Sequence, residues 1–393
     1  MRDRSWARGA GLQTRRGLGG NRAIQPDDPS PRQASLETRA SKMRPRTQLR
    51  GTSYSTTVLG DSAPRLLHWA GIRGGETVNE VEHVPVLYQE TLEALAIRPG
   101  GRYIDCTAGS GGHAAGILER SAPDGTVLAL DTDPEAVSRT AARLASFGDR
   151  ARVARANFRD LGTIAVREGC GAMDGILFDL GVSSVQLGTG RRGFSFQEDG
   201  PLDMRMDPDH GRSAADLIRD LSERGLADIF RRYGEEPAAA KVAAAIARAR
   251  SQAPITTTGQ LAELIARVKG RRDRIHPATM VFQALRIAVN GELESIETVL
   301  PLAVSLLRPG GRLAVIAFHS LEDRIVKRFL HEEARACRCP ASQPICTCDR
   351  QPALRLVERH AIQAGPDELH ANPRARSARL RAAERLCYPV RGG

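Results

Sequence analysis

Two hydrophobic periods run along this chain, and the change from one to the other near residue 190 divides it. Before that point short apolar runs alternate with stretches of helical spacing. Tyr103-Ile104-Asp105 reads as a first strand, and Thr126-Val127-Leu128-Ala129-Leu130 as a second that runs into Asp131. Arg152 to Ala156 reads as a third, ending at Asn157-Phe158, and Met173 to Leu180 as a fourth. In the fourth, Ile176-Leu177-Phe178 is continuously apolar, as a strand buried on both faces requires. Helical spacing fills the gaps: Leu92, Leu95 and Ile97 ahead of the first strand, Gly116 to Arg120 after it, and Ala136, Thr140 and Leu144 after Pro134. Strands alternating with helices predict a parallel, doubly wound α/β sheet.

Gly181 to Gly211 is loop-like, and helical patterns then follow without strands. Ala214 to Tyr233 carries Leu217, Ile218, Leu221, Leu226, Ile229 and Phe230; Pro237 to Arg250 is Ala-rich; Thr256-Thr257-Thr258 offers a cap for a helix through Val268. The α/β pattern resumes at Pro309-Gly310-Gly311, a turn into a further buried strand over Arg312 to Phe318. The expected organisation is an extension over 1–80, a first α/β part over 81–190, a helical insertion over 191–285, and a second α/β part over 286–393 with a basic C-terminal tail.

The turn after the first strand is Cys106-Thr107-Ala108-Gly109-Ser110-Gly111-Gly112-His113. Glycines let a backbone turn sharply and lie against a ligand with no Cβ in the way. A strand, a Gly-rich loop and a helix N-terminus are the parts of a nucleotide-type cofactor site. Asp131, at the end of the second strand, stands where a carboxylate binds a ribose diol. The loop is neither GxGxxG nor a P-loop with its Lys, so adenosine without a pyrophosphate, as in S-adenosylmethionine, fits better than a dinucleotide.

Charge and cysteine usage narrow the partners. The 393 residues carry a formal net charge of +11; residues 1–80 hold +7 of it, from 14 Lys/Arg against 7 Asp/Glu, and the body only +4. A mildly basic body permits a nucleic-acid partner, while an aromatic content of 4% argues against base-stacking platforms of the single-strand-binding kind. The first 80 residues lack hydrophobic periodicity and read as disordered. They fit a basic RNA-gathering arm, a targeting peptide, or an over-long reading frame whose true start lies near Met43 or Val78; the last is preferred, because patterned sequence begins only at His83. The seven cysteines are not spaced as a secreted disulfide framework, which points to a reducing, cytoplasmic location. No apolar run is long enough to span a membrane.

Several longer runs then coincide: His83 to Leu87, Thr107 to His113, Asp174 to Ser184, Arg192-Gly193-Phe194-Ser195-Phe196, Gly200 to Asp207, Phe282 to Ile287, Val289-Asn290, Phe318 to Arg324 and Asn372 to Ala378. In these runs, and in their order over about 83–385, the chain resembles the RsmH (MraW) family of bacterial ribosomal RNA methyltransferases. The resemblance implies a class I, Rossmann-like S-adenosylmethionine-dependent enzyme with a helical domain inserted into its sheet. It also implies methylation of the exocyclic N4 of one decoding-centre cytidine in 16S rRNA of the small ribosomal subunit, with no DNA or membrane partner. Alternatives from other classes are an amino-methyltransferase acting on DNA or a small molecule, and a non-catalytic cofactor-binding assembly factor.

By that resemblance Gly111, Gly112 and His113 belong to the cofactor loop, and Gln186 is a further cofactor contact. Asp131 takes the ribose hydroxyls, although it also suits the N-cap before Pro134, and Phe158 covers the adenine, although core packing explains it nearly as well. Asp179 ends the fourth strand, where ligands bind in open α/β sheets. A cytosine N4 lone pair is delocalised into the ring, so the enzyme must align it, accept a hydrogen bond from it and let a proton leave. Asp179 or a nearby backbone carbonyl is the expected acceptor, with His319 and Ser320 as second candidates. Many amino-methyltransferases carry Asp/Asn-Pro-Pro-aromatic here; Asp179-Leu180-Gly181-Val182 lacks it. Val185 and Ala317 also depart from the family, where Pro and Ser are common. No covalent nucleophile is needed, so Cys106 and Cys170 are expected to be structural.

Two features remain open. Arg191, Arg192, Arg205 and Arg286 are candidates for phosphate contacts or for intramolecular ion pairs, and the run from Asn372 through Arg381 for RNA docking or packing beside the cofactor. Cys337-Arg338-Cys339 and Cys346-Thr347-Cys348 form a C-x-C-x6-C-x-C cluster: either a structural zinc site or a loop of reduced thiols, with no catalytic metal expected.

Overall fold

The computed structural model describes residues 85–387 apart from positions 189, 271–274, 341, 344 and 349. The expected N-terminal extension and the His83-Val84 start of the first matched run lie outside the described residues. Helix α1 (Tyr88–Ala94) leads into β1 (Arg102–Asp105). Then follow α2 (Gly112–Arg120), β2 (Thr126–Asp131), α3 (Pro134–Leu144), β3 (Ala151–Arg155), α4 (Leu161–Arg167) and β4 (Met173–Asp179). The short α5 (Ser184–Gly188) precedes a run of helices: α6 (Ala214–Asp220), α7 (Glu223–Gly234), α8 (Ala239–Arg250), α9 (Thr258–Lys269) and α10 (Thr279–Asn290). Helix α11 (Glu292–Leu306) returns the chain to the sheet, completed by β5 (Leu307–Ala317), α12 (Ser320–Glu333), β6 (Leu354–Leu356), α13 (Pro366–Ala371) and β7 (Arg379–Arg385).

The strands form one sheet in the order β3-β2-β1-β4-β5-β7-β6, with β1 to β5 parallel and β7 antiparallel to both its neighbours. This is the α/β, Rossmann-like sheet that the alternating pattern predicts. Strand alternation builds its two faces. Tyr103, Val127, Ala129, Leu177, Ala314 and Ile316 pack on one side with α1 and α2. Ile104, Leu128, Leu130, Ile176, Phe178, Leu313 and Val315 pack on the other with α4, α11 and α12. A third cluster lies in the helical run, around Phe230, Ile246, Leu261 and Leu285.

Three expectations change. The helix expected over Ala214 to Tyr233 is two, because Leu221 turns extended and Ser222 caps a new start by accepting from the Gly225 amide. The insertion boundary expected at 285 falls inside α10, whose Val281, Phe282 and Leu285 pack in the third cluster. The stretch Arg379 to Arg385 of the expected basic tail is strand β7: Leu380 and Ala382 are buried on one face, and Arg381 is tied to Asp323 at 2.6 Å. The cap expected within Thr256-Thr257-Thr258 is Thr257, in a capping box with Gln260.

Gly175 is needed where β4 meets β1. It pairs with Tyr103, and a Cβ there would stand 2.8 Å from that buried ring. Gly175→Ala is therefore expected to overpack the centre of the sheet and to destabilise it by roughly 1–3 kcal/mol. A urea titration should show a lower midpoint at unchanged slope. Among the described residues no helix is long and apolar enough to cross a membrane.

Candidate active site

Strands β1 and β4 are neighbours whose onward connections leave toward opposite edges of the sheet, so a crevice opens at their C-terminal ends. The cleft there has a volume of about 1830 Å³ and is lined by the Thr107–Ser110 loop, Asp131, Phe158, Asp179 and Gln186, with α10 and α11 closing one side. A single small ligand fills roughly 300–1,000 Å³, so there is space for a second.

The loop after β1 is held from below. The Asp105 carboxylate accepts the Thr107 amide at 3.2 Å, and Thr107 Oγ1 accepts the Asp179 amide at 2.6 Å. Gly109 and Gly111 take φ of +58° and +79°, conformations that favour glycine. Helix α2 then starts at Gly112 with no side-chain cap, which leaves its first-turn amides available to an acceptor. Asp131 accepts the Gly109 amide through Oδ2 and the Asp133 amide through Oδ1, both at 2.9 Å. Each oxygen keeps a second lone pair.

Asp131 is not the cap of α3. That role falls to Asp133, which the sequence reading overlooked. Its buried carboxylate accepts from the Glu135 amide at 3.0 Å, from Gln186 Nε2 at 2.8 Å and from Arg192 Nη1 at 3.1 Å. The Asp-Pro pair at the start of α3 was the available signal. Gln186 also accepts the Ser183 amide at 2.9 Å, so it lines the cleft as a latch between the loop after β4 and α3.

Asp179 stands at the centre. Its Oδ1 is buried with no hydrogen-bond partner, and burial, then the charges of Asp105 and Glu322, hold its carboxyl well above the usual range. Burial raises Asp105 to about 7 and also raises Asp131. His113 does not compensate: it is buried, its pKa is lowered to about 4, and its Nδ1 lies 3.7 Å from Asp179 Oδ2, beyond hydrogen-bond reach. Asp131 and Asp179 line the cleft with the buried Asp105 close enough to repel both, and a positively charged ligand is what this wall lacks. Phe158 flanks them with its ring edge-on to Phe178 at 5.6 Å.

His319 and Ser320 are outside this lining. Ser320 Oγ donates to Glu235 at 2.9 Å, fastening α12 to the loop after α7. His319 caps α12, accepting from the Glu322 amide at 3.4 Å; its Nε2 is 3.1 Å from Glu322 Oε1 but outside hydrogen-bond geometry. Glu322 itself lines the cleft. Burial raises its pKa, but His319, Arg286 and the Phe318 amide outweigh this and bring it below the usual range. Glu292, His319 and Glu322 lie close enough to hold an ion, yet Arg286 already grips Glu292 at 2.9 and 2.8 Å as their counter-cation.

Arg192, Arg205 and Arg286 are therefore in internal ion pairs, with Asp133, Asp203 and Glu292 respectively, the alternative the sequence left open. Arg191 is exposed. From the C-terminal run Arg374 and Ser377 reach the cleft, and Arg143 lines it too. Arg143 and Arg374 are exposed and have no ion-pair partner among the described residues.

The residues present fit S-adenosylmethionine: an uncapped helix start suits a carboxylate, Asp131 a ribose diol, and the desolvated carboxyl wall a sulfonium and an ammonium.

Comparison with known proteins agrees. Proteins named ribosomal RNA small subunit methyltransferase H are similar over most of their length. The one from Thermomicrobium roseum is 55% identical over 310 residues, covering 79% of this chain and 95% of its own. That from Symbiobacterium thermophilum is 52% identical over 307 residues, covering 77% and 96%. That from Trichlorobacter lovleyi is 51% identical over 312 residues, covering 79% and 100%. The model of the MraW methylase family matches residues 80–386, and with that match, on this sheet and around this cleft, the chain belongs to the MraW methylase family.

Proposed function

We propose that this protein methylates the exocyclic N4 of one decoding-centre cytidine in 16S rRNA of the small ribosomal subunit, in the cytoplasm. S-adenosylmethionine supplies an electrophilic methyl group when bound. The observation that carries the reading is the unpartnered, desolvated Asp179 carboxyl at the end of β4, facing a cleft with space for a base beside the cofactor. In its ionised form Asp179 accepts a hydrogen bond from the N4 amine, orients its lone pair, and takes the proton that methylation releases. The first-turn amides of α2, with Asp131, position the cofactor, and Phe158 gives its ring an apolar wall. A cytidine reaches this depth only if it leaves its stack. The names of the relatives support ribosomal RNA as the substrate.

The test is transfer of a tritiated methyl group to small subunits from cells lacking this protein, followed by nucleoside digestion and mass spectrometry. One N4-methylated cytidine, lost with Asp131→Ala, is the expected result. Transfer to DNA or a metabolite pool instead would discard the substrate and keep the fold, and cofactor binding without transfer would favour an assembly factor.

Two further outcomes are expected. Cofactor affinity should fall as pH drops through the region near 7 where Asp105 titrates, because a cationic ligand favours ionised carboxyls and a protonated wall must first release protons. Calorimetry in buffers of different ionisation enthalpy should show proton release for S-adenosylmethionine and less for the uncharged sulfur of S-adenosylhomocysteine. Arg374→Ala should weaken RNA binding evenly across sequences and reduce the salt slope by about one.

A further inference from the structure

The connection from α12 to β6 runs from Ala334 to Ala353 with no helix or strand among its described residues. Unstructured connections longer than about 12–15 residues are uncommon in compact domains unless something holds them. This one brings Cys337, Cys339, Cys346 and Cys348 together, with all four sulfurs within 4.8 Å of one another. Around the cluster, Sγ–Sγ distances are 3.8 Å for Cys337–Cys348, 3.5 Å for Cys346–Cys348 and 4.0 Å for Cys339–Cys346. A Zn–S bond of about 2.3 Å puts the corners of a tetrahedron about 3.8 Å apart. The four sulfurs thus already stand near the corners that a single ion requires.

We propose that Cys337, Cys339, Cys346 and Cys348 form a closed, structural Zn²⁺ site that clamps the α12–β6 connection. Four thiolates select a soft, tetrahedral ion, and sulfurs this close enclose one metal, not a cluster. Their surroundings suit thiolates. The Arg338 amide donates to Cys348 Sγ at 3.5 Å and the Cys339 amide to Cys337 Sγ at 3.3 Å. Arg335, Arg338 and Arg350 converge on Glu332 and Glu333, which ties both ends of the cysteine segment to the end of α12. None of the four cysteines lines the cleft, and no coordination position is left open for substrate. On binding, the thiol protons pass to solvent and the metal joins both C-x-C pairs.

The full-length protein, purified under reducing conditions and dialysed against a weak chelator, should retain one zinc per chain by elemental mass spectrometry. Co²⁺ in its place should give the intense visible absorption of a tetrahedral thiolate centre. The Cys339→Ser/Cys346→Ser variant should lose both signals, with an apparent zinc Kd raised by more than the roughly 10–100-fold that removal of an outer-shell partner brings. Stripping the metal should speed proteolysis between Ala334 and Ala353, while wild-type circular dichroism confirms that the sheet persists. The proposal is overturned if reduced protein binds no added Zn²⁺, if the variant binds it as well as the wild type, or if the bound metal proves to be an iron–sulfur cluster.

Discussion

Asp179→Asn is expected to lower kcat for methyl transfer by about 10²–10⁴-fold, the usual contribution of a positioned proton acceptor. The same variant is expected to melt at a higher temperature than the wild type at neutral pH. Both effects come from one feature. The Asp179 carboxyl is desolvated, sits near Asp105 and Glu322, and has an oxygen with no partner. Its folded-state pKa lies above its ordinary value of 3.8, so between the two the folded protein binds more protons than the unfolded chain. Stability therefore falls as pH rises through that window and stays reduced above it. Asparagine removes the ionisation, and with it the penalty at neutral pH. The difference in Tm between variant and wild type should vanish at pH values below the ordinary carboxylate range. Unchanged turnover together with unchanged cofactor affinity would falsify both roles given to Asp179. A rise confined to KM for the cofactor, with kcat intact, would leave it as a binding residue and move the proton elsewhere.

Arg286→Met should be the most damaging substitution for stability among the arginines near the cleft. The guanidinium holds Glu292 by two hydrogen bonds of 2.9 and 2.8 Å and stands 4.0 Å from Glu322. Both carboxylates are buried, and methionine would remove the guanidinium that pairs Glu292 and stands beside Glu322. Breaking a buried pair from one side costs about 3–5 kcal/mol, which lowers Tm by roughly 10 °C in a domain of this size. The loss should be reversed in part by acid. Unpaired buried carboxylates have raised pKa values, so the penalty is present above the ordinary carboxylate range and shrinks as pH falls through it. Arg286→Met combined with Glu292→Met should recover more stability than Glu292→Gln, because the pair is then replaced by packing apolar groups. A melting point for Arg286→Met within a degree or so of wild type would show that the carboxylates find other partners.

Arg286 also marks the limit of what sequence could say. On paper it is one of four arginines suited to phosphate. In the fold α10 and α11 bring it to Glu292, and α12 brings Glu322 near, so it serves the interior. Arg192 repeats the case with Asp133. By contrast Arg374, from a run read as a tail, reaches the cleft because α13 carries the chain back over the sheet before β7.

The local pattern determined much. Alternating apolar runs and helical spacing were enough for the parallel sheet, since a strand buried on both faces can carry little but apolar side chains. Glycines at 109 and 111 marked the loop because a φ above +50° is strained for other residues. Asp131 and Asp179 were legible because their positions at strand ends follow from chain direction alone. The tertiary structure decided what depends on partners distant in sequence. It made Asp133, not Asp131, the cap and hub, turned Gln186 into a latch, joined α10 to the insertion, and converted half of a basic tail into β7. Above all it decided protonation and pairing, because desolvation and counter-charge are set by which groups the fold packs around a carboxyl, and no spacing along the chain records that.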